Sequence, residues 1–328
     1  MNLGAAWAQV RALAVDTASF AVMNALQLRA RAGRLDAPAA DAYFAHWQAR
    51  GLADWLAPPA EARLELTEGR FVAPSPLSTD SPANDRLRLD IRLGPDGWQS
   101  PAMILLHALM SVSDRGYQRW AQRLNEAGWT AVFAHLPYHY DRCPAGVASG
   151  ELAFSANVVR SAEGLRQAVI ELRLTAAALR ARGCPRWGVW GNSYGALIGA
   201  LLAICEPDLY TAWLLEPILD LDHALFESPV SLVIRRQLAL AGVSRERVGG
   251  YLPLLCPRYH APAMAAKRIL LMAGRQDRIA PPAVVRRLAE QWPGAVYAEA
   301  DQGHVGYTLM PECWRIATER GWLGTGEP

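Results

Sequence analysis

Gly191-Asn192-Ser193-Tyr194-Gly195 follows the apolar run Trp187 to Trp190 and leads into a segment rich in small residues, Ala196, Gly199, Ala200 and Ala203. A chain that passes from strand to helix within so few residues has no room for side chains two positions before and two after the apex. Glycines at those positions and a hydroxyl at the apex therefore have a steric cause, that of a nucleophile elbow. Such a turn lifts the Ser193 hydroxyl above the carboxyl edge of a sheet. The N-terminus of the helix that follows would hold the Tyr194 N–H near any oxyanion formed there.

The pentapeptide is short, and its neighbours carry the reading. Downstream, Arg268 to Met272 reads as a strand that ends in Ala273-Gly274-Arg275-Gln276-Asp277, so an acid falls where a strand meets the same sheet edge. A last strand, Val296 to Ala298, leads through Asp301-Gln302-Gly303 to His304. The chain order is serine, acid, histidine.

Further apolar runs at Met103 to Leu106, Thr130 to Ala134 and Ala212 to Leu215 are short and continuous, as parallel strands covered on both faces are. Helical patterns intervene at about 117 to 127, 155 to 182, 194 to 205, 281 to 292 and 311 to 321. The longest has its core stripe at Val158, Leu165, Val169, Leu172, Ala176 and Leu179. Ahead of them, Leu64 and Leu66, then Leu87, Leu89, Ile91 and Leu93, alternate with polar residues and predict an antiparallel hairpin. The fold class is α/β, a mostly parallel sheet with helices on both faces.

Residues 1–61 predict an N-terminal helical extension, with apolar positions at helical spacing through Val10, Leu13, Ala14, Val22, Leu26 and Leu28. Arg29, Arg31 and Arg34 read as charges that complement a helix dipole. Residues 62–328 form the expected catalytic domain. Between two of its strands, about 217–266 is longer than a strand-to-helix connection needs and predicts a helical lid. Within that lid, Val230, Val233, Ile234 and Leu238 make a stripe that either lines a cleft or packs on the core.

With these features together, the chain resembles the α/β-hydrolase superfamily over about residues 62–322. Leu105-Leu106-His107-Ala108-Leu109 is similar to that family's His-Gly oxyanion turn, with Ala108 where glycine is usual. Leu136-Pro137 falls where the family often has a proline, and Gly274 to Asp277 looks like its G-x-x-D acid loop. The Ser-Tyr-Gly of the elbow is similar to that of prolyl-oligopeptidase-type peptidases and of many esterases, and the sequence carries no propeller.

The resemblance implies a serine hydrolase with Ser193, Asp277 and His304 as triad, and with the Tyr194 and Leu109 N–H groups as oxyanion donors. Residue chemistry agrees, because serine is a poor nucleophile until a histidine takes its proton and an acid orients that histidine. Glu216 and Asp220 follow the Ala212 to Leu215 strand and are alternative acids. Hydrolysis of an ester or thioester of a small or medium-sized substrate through an acyl-enzyme is the leading expectation. Acyl transfer or peptide cleavage would use the same three residues, and a non-catalytic hydrolase-like binding protein is the alternative from another class.

The resemblance implies a small-molecule acyl substrate as partner, and a homo-oligomer is compatible with it. Lys plus Arg is 33 against 31 for Asp plus Glu, which offers no footprint for nucleic acid. Five scattered cysteines without a C-x-x-C pair signal neither disulfides nor zinc and fit a reducing, cytoplasmic location. His135 and His139 have the spacing of a metal pair, yet Pro137 breaks a helix between them and no third ligand follows, so no metal is expected. No dinucleotide or phosphate-binding motif is present, and no cofactor is expected. Arg11, Asp16 and Arg29 break the apolar runs at the start, so neither a signal peptide nor a membrane span is read there.

Overall fold

The computed structural model describes residues 3–28 and 35–324. Arg29, Arg31 and Arg34, the cluster read as complementing a helix dipole, lie outside the described residues. Three helices come first: α1 (Leu3–Gln27), α2 (Ala37–Arg50) and the short α3 (Leu52–Trp55). The strands are β1 (Gly69–Pro74), β2 (Arg86–Arg92), β3 (Ala102–Leu106), β4 (Thr130–His135), β5 (Trp187–Asn192), β6 (Leu209–Leu215), β7 (Ile269–Gly274) and β8 (Val296–Ala300). They form one eight-stranded sheet in the order β1-β2-β4-β3-β5-β6-β7-β8. β2 runs antiparallel to β1 and β4, and all strands from β4 across to β8 are parallel.

Every residue of β3, β4, β5 and β7 is buried, which explains their continuous apolar reading. Along β3, Ile104 and Leu106 join the apolar layer on one face, and Met103 and Leu105 join the layer on the other. The first layer includes α5 (Val158–Ala181), α6 (Tyr194–Cys205) and α10 (Pro282–Gln291), and the second includes α4 (Arg115–Glu126) and α11 (Leu309–Glu319). All six residues of the α5 stripe are buried. This helix starts at Val158, a little after the expected 155, because the Asn157 side chain caps it, accepting the Arg160 N–H at 3.0 Å.

Two expectations are corrected. The first strand of the hairpin is Gly69–Pro74 and not the Leu64 and Leu66 segment, which has no strand pairing. Leu66 is nonetheless buried, and burial alone produced the alternation. The second correction concerns α1. Val10, Leu13, Val22 and Leu28 are exposed, whereas Ala12, Asp16, Phe20 and Gln27 are buried. Apolar periodicity located the helix but not its buried face, because that face carries polar groups bonded to other elements.

Between β6 and β7 the chain forms a π-turn (His223–Glu227), α7 (Leu232–Leu240), α8 (Arg245–Gly249) and α9 (Leu252–Leu255). The N-terminal helices hold this insertion. Asn24 of α1 donates to the Pro229 carbonyl at 2.9 Å and accepts the Val233 N–H at 2.9 Å. On α2, Phe44 stacks on Tyr251 with ring centroids 4.1 Å apart. Burying Phe44 stabilises the contact by about 2 kcal/mol relative to exposure. Among the described residues no helix is long and apolar enough to cross a membrane.

Candidate active site

β5 delivers Ser193 into a strained turn, with φ 52° and ψ −110°. A non-glycine residue in such a conformation costs about 1–3 kcal/mol, which the surroundings must outweigh. They do so by clamping the turn: the Ser193 N–H donates to the Leu215 carbonyl at 2.8 Å. The flanking glycines are required by close approach. A Cβ on Gly191 would lie 2.5 Å from the Gly195 carbonyl oxygen, and one on Gly195 would lie 2.6 Å from that of Leu106.

Ser193, His304 and Asp277 come together at the carboxyl edge of the sheet. Ser193 Oγ lies 2.7 Å from His304 Nε2, and His304 Nδ1 lies 2.8 Å from Asp277 Oδ2. The other Asp277 oxygen accepts the Ile279 and Ala280 N–H groups, each at 2.8 Å, which fixes the carboxylate. All three residues are buried. Burial opposes a charged His304, but the charge and hydrogen bond of Asp277, joined by the charges of Glu216 and Asp16, outweigh it and raise the imidazole to about 9.

The other two candidate acids are placed differently. Glu216, strained at φ 41°, is buried, and burial raises its carboxyl to about 8. Asn192 bonds it, and Gln302 Nε2 donates to it at 3.2 Å. Asp220 pairs with Arg258 at 2.6 Å.

The turn after β3 is held by three aromatic side chains. His107 Nε2 accepts the Leu136 N–H at 3.1 Å, and its Nδ1 lies 2.9 Å from the Ala108 carbonyl. The Ala108 N–H donates to the Tyr117 hydroxyl at 3.1 Å, and the Met110 N–H donates to His139 Nε2 at 3.3 Å. Leu109 between them has no hydrogen-bond acceptor for its N–H among the described residues, nor does Tyr194 at the first position of α6. Two unsatisfied donors thus belong to the two segments that meet beside Ser193. His135 contacts Asp90 and Asp141, so His135 and His139 are engaged separately.

Tyr194 and Leu197 of α6 also line a narrow apolar pocket with Leu165, Ile218, Leu221 and Leu225. The buried Tyr194 hydroxyl has no partner among the described residues. Ile234 and Leu238 do not line this pocket; they are buried in α7, which packs against α1. Of the two readings of the lid stripe, packing is the one the contacts favour. The pocket wall comes instead from earlier and later parts of the insertion.

The roles of four residues of this region escaped the sequence reading: Asp16, Gln302, Tyr117 and His139, the last weighed there as half of a metal pair. Asp16 alone left a signal, a charge within an otherwise apolar helical stretch.

No family model and no curated protein sequence matches this chain. Among solved structures, it is similar to acetyl xylan esterase 1 from Thermoanaerobacterium sp. JW/SL YS485, at 16% identity and TM-score 0.51 over 76% of this chain and 87% of that one. It is also similar to the acylaminoacyl peptidase of Pyrococcus horikoshii, at 14% identity and TM-score 0.52 over 77% of this chain but only 40% of that one. The strand order, the elbow and these likenesses agree that the fold of this chain is that of the α/β-hydrolase superfamily.

Proposed function

We propose that the chain is a serine hydrolase that cleaves an ester or thioester of a small or medium-sized acyl substrate through a covalent acyl-enzyme. The observation that carries this reading is the continuous hydrogen-bonded line from Ser193 through His304 to Asp277, at 2.7 and 2.8 Å. In the first step Ser193 Oγ bonds to the carbonyl carbon while its proton passes to His304 Nε2. Asp277 keeps the imidazole in the tautomer whose Nε2 accepts that proton. The carbonyl oxygen becomes an oxyanion facing the Tyr194 and Leu109 N–H groups, at about 3 kcal/mol per donor. Collapse breaks the bond to the leaving oxygen or sulfur, which takes the proton from His304. Water then repeats the sequence and releases the acid.

The apolar pocket beside α6 supports an apolar acyl group. We further propose that residues 62–328 form the catalytic domain and that 1–61 is an extension bound to it and to its lid at about 217–266. All five cysteines are free thiols, which supports a reducing, cytoplasmic setting. The test is a panel of nitrophenyl esters and short peptides, together with labelling by a fluorophosphonate. Rapid labelling with ester turnover is expected. Absence of both would overturn the proposal.

A further inference from the structure

The loop that carries His304 is bonded from two directions. From inside the domain, Gln302 Oε1 accepts the Thr308 N–H at 2.7 Å while its amide reaches Glu216 at 3.2 Å. From outside, α1 brings in Asp16, a fully buried residue. Its Oδ2 accepts the His304 N–H at 2.9 Å, and its Oδ1 accepts the Val305 N–H at 2.9 Å. The partners are 288 and 289 positions apart in the chain, so this contact exists only when α1 is docked.

A second observation agrees with the first. Gly303 lies so close to Asp16 that a Cβ there would sit 2.6 Å from Asp16 Oδ2. The glycine clears the space that the carboxylate occupies. A carboxylate can accept on both oxygens at once, whereas an amide has an NH2 group in place of one of them and accepts on the other alone.

We infer that Asp16 is a positioning residue for His304, so that the N-terminal helix completes the active site by fixing the histidine main chain and adding negative charge behind the imidazole. This rests on the serine-hydrolase reading. Three carboxyl groups face the imidazole: Asp277 from the loop after β7, Glu216 from the end of β6 and Asp16 from α1. Asp277 contacts the ring directly. Asp16 acts through the backbone, and its charge favours the imidazolium that forms when Ser193 loses its proton.

The inference is tested by fluorophosphonate labelling rates against pH for the full-length chain and for Asp16→Asn, Gly303→Ala, Asn24→Ala and Ser193→Ala. Wild type labels and Ser193→Ala does not. Asp16→Asn is expected to label about ten- to a hundred-fold more slowly, the cost of a misplaced catalytic group. Its half-maximal rate moves to lower pH, because loss of a nearby anion makes the imidazole easier to deprotonate. Gly303→Ala, which displaces the carboxylate but keeps the charge, is expected to slow labelling with less movement of the midpoint, and it carries the test if Asp16→Asn does not fold. Asn24→Ala removes two hydrogen bonds between α1 and the insertion while Asp16 stays docked on the histidine loop, and keeps the wild-type midpoint. Wild-type rate and midpoint in Asp16→Asn would overturn the inference and leave the serine-hydrolase reading intact. A wild-type chain that fails to label would overturn that reading first and the inference with it.

Discussion

Asp277 contacts the His304 ring with one carboxylate oxygen, 2.8 Å from Nδ1, and anchors its other oxygen on two consecutive main-chain N–H groups. Glu216 shares the cavity but is bonded by Gln302 and Asn192 and is held in its neutral range by burial. Asp277→Asn is therefore expected to lower turnover by about 10⁴, as loss of the tautomer-fixing acid does. Glu216→Gln should cost far less. Steady-state rates of the two variants on one nitrophenyl ester check this, and the reverse ranking would assign the acid to Glu216.

The pH profile follows from the same cluster. His304 must be neutral to take the Ser193 proton, and its surroundings raise it above the ordinary range, to about 9. kcat/KM is expected to rise with pH through neutrality, with a midpoint above the usual histidine value of about 6.5. Glu216 loses its proton near 8 and then adds negative charge beside the imidazole. Glu216→Gln removes that charge and should move the midpoint to lower pH. A profile that falls from pH 6 to 9, or a midpoint unmoved in Glu216→Gln, would contradict this electrostatic account.

How far the sequence disclosed this arrangement depends on the range of the forces involved. Gly191, Ser193 and Gly195 mark the elbow as a short pattern that its flanking strand and helix complete, even though the space at Gly195 is demanded by the distant Leu106 carbonyl. Asp277 and His304 each follow a fully or partly apolar run, and strand ends on one sheet edge are adjacent by topology. Asp16 acts on main-chain groups 288 and 289 positions away, and Tyr117 on the Ala108 N–H across a turn nine positions long; nothing in the sequence beside either residue states the partner. The buried face of α1 was not legible for the same reason: helical spacing reveals that a stripe exists, whereas Asp16, Asn24 and Gln27 are turned inward by the groups they bond.

The wall of the apolar pocket predicts acyl selectivity. Leu221→Phe should narrow the pocket and lower kcat/KM for medium-chain esters by about tenfold or more relative to acetyl esters, the scale of discrimination by small steric changes. Ile234 is buried outside the pocket wall, so Ile234→Ala should cost about 2–4 kcal/mol of stability and leave chain-length preference unchanged. Kinetics across an ester series and denaturant melts distinguish the two. Equal loss on all chain lengths in a well-folded Leu221→Phe would exclude the pocket as the acyl site.

The unpartnered Tyr194 hydroxyl gives a stability prediction. Phenylalanine keeps the ring and the backbone and removes a buried polar atom that lacks a partner among the described residues. Tyr194→Phe should raise unfolding free energy by about 1 kcal/mol in urea. A loss of stability would mean that the hydroxyl is bonded in solution.

Whether Ser193 is a nucleophile activated by His304 is decided by kcat/KM of wild type and of folded Ser193→Ala on the same nitrophenyl ester. The account predicts hydrolysis by the wild type and a fall by several orders of magnitude, up to about 10⁶, in the variant. Undiminished hydrolysis by Ser193→Ala would contradict it.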